Sequence, residues 1–157
     1  MPGRILIVED SPLVVDAFSV LLTEAGYSVE TAATVAEGIE RAVARQVDLM
    51  LLDISLPDGS GLEIMHALKQ RAALPRVTLA MTGHNDSRSR RSCLDAGCAD
   101  VLVKPVPIGE LLREIERVLA WWSGGLVRAP VRSCAGTTAR STGLLRVKKE
   151  RGLLSAD

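Results

Sequence analysis

Val47-Asp-Leu-Met-Leu-Leu-Asp53 is the stretch on which the fold turns. Four large apolar residues stand in a row between Asp48 and Asp53, with no polar residue alternating among them. Successive side chains of a strand point to opposite faces, so a strand with one wet face alternates. A strand that is apolar throughout is covered on both faces, which is the signature of a parallel sheet between two layers of helices.

Similar runs lie on either side of it. Ile5-Leu-Ile-Val8 reads as a first buried strand, Val77-Thr-Leu-Ala-Met81 as a fourth and Val101-Leu-Val103 as a fifth. Tyr27 to Thr31 alternates like a second strand. The segments between them carry helical signals. Ser11-Pro12 predicts a helix start, with a capping serine and a proline whose missing N–H does no harm there. Val14, Ala17, Phe18, Leu21, Leu22 and Ala25 repeat at helical spacing, and Gly26 closes that helix. Thr34-x-x-Glu37 is a capping box opening a second helix to about Ala44. Leu56-Pro-Asp-Gly-Ser-Gly61 is a loop before a helix from about Leu62 to Arg71. Asp86 caps a helix ending at Ala96-Gly97, and Pro107 opens a last one to about Trp121. Five strands alternating with five helices predict an α/β fold, a doubly wound five-stranded parallel sheet.

Composition sets bounds on function. The 157 residues suit one ordinary domain with an appendage. Formal net charge is zero, which gives no global attraction to nucleic acid or anionic membrane. The charge is uneven, however. Residues 1–122 hold 12 Lys/Arg against 17 Asp/Glu, and residues 123–157 hold 7 against 2. The second stretch is rich in Gly, Ser, Thr, Ala and Arg and has no lasting apolar period, so 1–122 reads as the domain and 123–157 as a basic, irregular, disordered tail. Three cysteines (Cys93, Cys98, Cys134) lack paired spacing and read as small hydrophobes in a reducing compartment. No apolar run is long enough to span a bilayer, and the first residues do not read as a signal peptide. A cytoplasmic protein is expected.

The chemistry gathers where the strands end. The first strand leads into Glu9-Asp10, the third into Asp53, the fourth into Thr82 and the fifth into Lys104-Pro105. In a parallel sheet all these ends share one edge, where such folds bind ligands. Three carboxylates in one pocket repel and call for protons or a cation. Hard oxygen donors that leave room for water suit Mg²⁺. A lysine and a hydroxyl complete what phosphoryl transfer needs, which is mainly positioning and charge neutralisation, and a carboxylate can itself be the nucleophile. Taken singly, each residue has a plainer reading: a solvated loop acid, a helix cap or a surface lysine. The coincidence of four strand ends is the signal.

Ile-Leu-Ile-Val-Glu-Asp-Ser, Asp53-Ile-Ser-Leu-Pro-Asp-Gly-Ser-Gly, Ala80-Met-Thr-Gly and Gly97-Cys-Ala-Asp-Val-Leu-Val-Lys-Pro together resemble the receiver domain of bacterial two-component response regulators of the chemotaxis-regulator kind. The likeness runs in order from about Arg4 to Leu119. It implies a flavodoxin-like sheet with strand order 2-1-3-4-5. It implies a phosphoprotein switch rather than a metabolic enzyme, charged by a sensor histidine kinase or a histidine phosphotransfer protein. By the same likeness Asp53 is the phospho-acceptor, Asp10 a direct Mg²⁺ ligand, Glu9 its acidic partner and Ser55 the donor of a backbone carbonyl to the metal. Thr82 is the switch hydroxyl, Lys104 the lysine that pairs with the phosphoryl group, and Pro105 follows a cis peptide. Ser55 and His84 flank the path of attacking water.

Two positions depart from the pattern. Val101 stands where receivers usually carry an aromatic residue that swings inward with the threonine, which puts that route of signal transmission in doubt. Val106 stands where phenylalanine is common, and reads as a packing change. Val101 keeps open a receiver that works without phosphorylation. A regulator whose output domain is missing is a further alternative. Two enzyme classes on the same sheet are disfavoured. A dehalogenase-type phosphatase needs a second acid at the place of Ser55, and a nucleotide-binding fold needs a glycine-rich turn where Glu9-Asp-Ser-Pro12 stands. The expected partner surface is the face of the fourth helix, fifth strand and fifth helix. Arg88, Arg90 and Arg91 there read first as a solvated face and second as a match for an acidic patch. One of Trp121 and Trp122 could anchor a homodimer. The basic tail lacks aromatics and the length of a helix-turn-helix, so nucleic acid is not expected as a partner.

Overall fold

The computed structural model describes residues 3–123, with side chains through 120. One parallel sheet is built from β1 (Arg4–Val8), β2 (Ser28–Ala32), β3 (Leu49–Asp53), β4 (Val77–Thr82) and β5 (Asp100–Val103), in the order β2-β1-β3-β4-β5. Each strand is followed by a helix: α1 (Pro12–Glu24), α2 (Val35–Ala44), α3 (Leu62–Gln70), α4 (Ser87–Asp95) and α5 (Ile108–Ser123). The expected architecture and strand order are both present. A small hairpin, Ser55–Leu56 against Gly59–Ser60, fills the connection expected as a plain loop.

The apolar run of β3 does what its pattern requires. All five of its residues are buried. Leu49 and Leu51 enter one core with Phe18, Leu22, Leu111, Ile115 and Val118 of α1 and α5. Met50 and Leu52 enter the other, with Ile64, Met65 and Leu68 of α3 and Cys93 of α4. β1 divides in the same way, Ile5 and Ile7 to the first core, Leu6 and Val8 to the second. Burying each such side chain is worth about 2 kcal/mol. Register is therefore strongly specified, since a one-residue slip would exchange the two cores. The edge strand β2 is only half-buried, so its alternation is muted.

Helix ends mostly follow their sequence signals. Thr34 Oγ1 accepts from the Glu37 N–H at 3.1 Å, but the Glu37 carboxylate reaches back to the Ala33 N–H, one residue beyond the usual capping-box partner. Asp86 accepts from both the N–H and the hydroxyl of Ser89. Gly26 and Gly97 close α1 and α4 at φ 94° and 106°, where a side chain would be strained. Ser11 corrects one expectation. It occupies the N-cap position, but its side chain makes no capping bond, and its own N–H donates to Glu9 Oε1 at 3.1 Å. Cys93 and Cys98 are buried and free, as expected, and burial pushes the Cys98 thiol up to about 12. The tail beyond Ser123, with Cys134, and the side chains of Trp121 and Trp122 lie outside the described residues.

Candidate functional site

The ladder of the sheet carries the chain past the strand ends and so places the site. The Glu9 N–H donates to the Ala32 carbonyl at 3.0 Å, Ile54 to Met81 at 3.1 Å and Lys104 to Thr82 at 2.8 Å. Glu9, Asp53, Thr82 and Lys104 thus share the carboxyl edge. Glu9 and Asp53 are almost fully buried, and Asp10 is exposed at the rim. One ligand oxygen from each of these three acids lies within 4.8 Å of the others.

Lys104 holds the two buried acids. Its Nζ donates to Glu9 Oε2 at 2.6 Å and to Asp53 Oδ2 at 2.9 Å. Burial opposes the ammonium charge, but the bonds to Glu9 and Asp53 outweigh it and raise the lysine pKa. Burial also dominates at Glu9, whose pKa is raised although Lys104 and the Ser11 N–H favour its charged form. A crowded acid that is costly to ionise gains from a further cation. Three carboxylates beside an open rim fit a hard cation such as Mg²⁺.

The remaining residues singled out by sequence fall around this centre. The Ser55 N–H donates to Asp53 Oδ1 at 2.9 Å, which orients the carboxylate. Thr82 is buried, and its Oγ1 accepts from the His84 N–H at 3.1 Å. The Ser55 and His84 side chains are exposed. The Lys104–Pro105 peptide is cis. Val101 is buried in the core on the α3–α4 side, and Val106 packs half-buried against the core of α1 and α5.

Three structural contributions went unread in the sequence. A Cβ on Gly61 would stand 2.1 Å from the Asp53 carbonyl oxygen, so only glycine lets the returning chain lie against the acid's backbone. Asp58, at the turn of the hairpin, accepts from the N–H groups of Val35 (2.8 Å) and Ala36 (3.2 Å) at the start of α2. The Val35 bond is the chief reason its carboxyl titrates below the usual range. Asp100 is 3% exposed and joins Arg90 of α4 at 2.6 Å to Arg117 of α5 at 3.6 Å. Arg90 also donates to the Val101 carbonyl at 3.2 Å, and Arg117 bonds Glu114. Arg90 thus leaves the solvated arginine face expected of α4, while Arg88 and Arg91 remain on it.

Known proteins share this fold. Residues 5–116 match the family described as response regulator receiver domain. The chain belongs to the response-regulator receiver family. The receiver is 34% identical over 116 residues to the response regulator ArlR of Staphylococcus aureus, covering 74% of this chain and 52% of that protein. It therefore spans about half the length of the curated relatives it matches. A CheY-like receiver domain protein from Methanospirillum hungatei superposes with a TM-score of 0.73 at 32% identity, covering 80% of this chain and 99% of the other. The receiver domain of the sensor histidine kinase PA1611 from Pseudomonas aeruginosa superposes at 0.66 with 27% identity, over 76% of this chain and 99% of that one. That structure holds a magnesium ion in its active site cleft. Receivers are signalling domains of two-component systems. Among the described residues no helix is long and apolar enough to cross a membrane.

Proposed function

We propose that this receiver accepts a phosphoryl group on Asp53 from a histidine kinase or a histidine phosphotransfer protein, and signals by a change in its protein-contact surface. The observation that carries the reading is the pocket itself: Lys104 Nζ bridging Glu9 and Asp53, with Asp10 within the same 4.8 Å cluster. Glu9, Asp10, Asp53 and the backbone carbonyl of Ser55 would hold Mg²⁺. When bound, the ion offsets negative charge on the transferring group.

The chain's own residues account for the rest. An Asp53 carboxylate oxygen forms the new bond to phosphorus as the donor's phosphorus–nitrogen bond breaks, and the departing imidazole keeps that electron pair. The Ser55 N–H holds the other carboxylate oxygen during attack. Lys104, already charged and within 2.9 Å of Asp53, pairs with the incoming phosphoryl oxygens. Thr82 donates its hydroxyl to one of them, which draws the β4–α4 connection toward the pocket. Ser55 and His84 border the approach of water and set how long the acyl phosphate lasts. The only reactions assigned are the receiver's own phosphorylation and dephosphorylation. Residues 1–122 form the switch, and the α4–β5–α5 face meets the downstream partner. The burial of Val101 favours a second reading, a receiver recognised in one fixed state.

Intact mass after incubation with a small-molecule phosphodonor and Mg²⁺ decides between them. We expect a single adduct of about 80 Da, lost in Asp53→Ala and on chelating the metal. No adduct on the folded wild-type chain would leave the fixed-state reading.

A further inference from the structure

The hairpin after Asp53 supplies two things to the pocket, the Ser55 N–H on Asp53 and, in the function proposed above, the Ser55 carbonyl. What fixes the hairpin is therefore part of the site. It is held from below by Leu56, which is 9% exposed in the core, and by the Gly61 N–H on the Ile54 carbonyl at 2.8 Å. Its turn is held from the side by Asp58. Both oxygens of that carboxylate are taken by first-turn N–H groups of α2, 22 and 23 residues away in sequence. Such N–H groups have no partner within their own helix, and a carboxylate there is favoured by the helix dipole as well.

We infer that Asp58 is a positioning residue for the metal pocket: by clasping the hairpin turn to the start of α2 it holds the Ser55 backbone over Asp53. The inference rests on the reading of this pocket as a Mg²⁺ site. The clasp has a built-in control. Thr34 caps the same helix end through the Glu37 N–H and touches no hairpin residue through that bond. Asp58→Ala and Thr34→Ala each remove a cap of α2, but only the first releases the hairpin.

The test is titration of Mg²⁺ into the full chain, followed by calorimetry at physiological salt, where distant charge is screened. Both alanine variants should melt below wild type. Asp58→Ala should bind Mg²⁺ roughly tenfold more weakly, in the range seen when an outer partner of a metal ligand is lost. Thr34→Ala should keep wild-type affinity. Asp58→Asn keeps an acceptor for the Val35 N–H and should recover most of the loss. Wild-type affinity in Asp58→Ala overturns the inference alone, as does an equal loss in Thr34→Ala. Equal losses in Asp58→Asn and Asp58→Ala assign the effect to charge and overturn it too. No Mg²⁺ binding by the wild-type chain overturns the metal reading itself.

Discussion

The carboxyl-edge pocket and the α4–β5–α5 face share β5, yet they are built by different means. In the pocket, Glu9, Asp53, Thr82 and Lys104 sit at or just past the ends of four paired strands, and backbone hydrogen bonds fix their spacing. On the face, the contacts depend on the reach of long side chains. Arg90 turns inward across α4 to Asp100 and the Val101 carbonyl, and Arg117 closes on the same acid from α5. Backbone register tolerates little change, whereas side-chain reach can be rearranged without disturbing the sheet. Chemistry should therefore stay with the pocket while this chain's own character lies on the face.

The strongest way to break that contrast is at Gly61. Alanine there forces a carbon to within 2.1 Å of the Asp53 carbonyl oxygen, and the obstacle is backbone that cannot turn aside. Overpacking of this kind costs about 3 kcal/mol, or on the order of 12 °C in melting temperature for a domain of this size. Adduct formation on the folded fraction should fall as well, because the strain is delivered at the acceptor. Normal phosphorylation at full occupancy in Gly61→Ala would mean that the pocket is less rigidly specified than its ladder implies.

Asp100→Ala should reverse the pattern. It leaves two arginines facing each other around a lost partner. Breaking a fully buried pair costs more, but the side chains of Arg90 and Arg117 are 18% and 20% exposed, so solvent screens part of the loss. We expect about 2 kcal/mol in urea unfolding, with phosphodonor adduct formation unchanged. A variant that unfolds normally but no longer takes the phosphoryl group would show that the face and the pocket are one unit.

The same contrast explains what could be read in advance. Apolar runs such as Leu49 to Leu52 determine which side chains face each core, and the strand ends follow, so the pocket was legible from residue order alone. Asp58 was not, because a Pro-Asp-Gly turn looks the same whether its carboxylate meets water or a helix 23 residues away. Gly61 was hidden in a glycine-rich loop for a related reason: its constraint is the nearness of another backbone, since its own φ of −56° suits any residue. Arg90 was misread with its neighbours because helical spacing alone does not say that a buried acid waits on the adjoining strand. Ser11 misled in the opposite direction: it holds the N-cap position and its backbone N–H donates to Glu9 Oε1, yet its hydroxyl makes no capping bond.

Val101 makes the finest test of the two regions. The sequence puts in doubt the route of signal transmission that an aromatic residue at this position would serve. In the structure it is 6% exposed within the core on the α3–α4 side, and its carbonyl accepts from Arg90. If valine is fitted there, Val101→Phe inserts volume into a filled site and costs about 1–2 kcal/mol, read as a fall of roughly 5 °C in melting temperature. The pocket should be indifferent, because Val101 packs in the core on the α3–α4 side while Lys104 is fixed by its own backbone bond to Thr82, and adduct yield should match wild type. An unchanged melting temperature would reveal space for an aromatic ring beside Arg90. The face would then be an ordinary receiver surface carrying a smaller residue, and the difference drawn between it and the pocket would shrink to the Arg90–Asp100–Arg117 network.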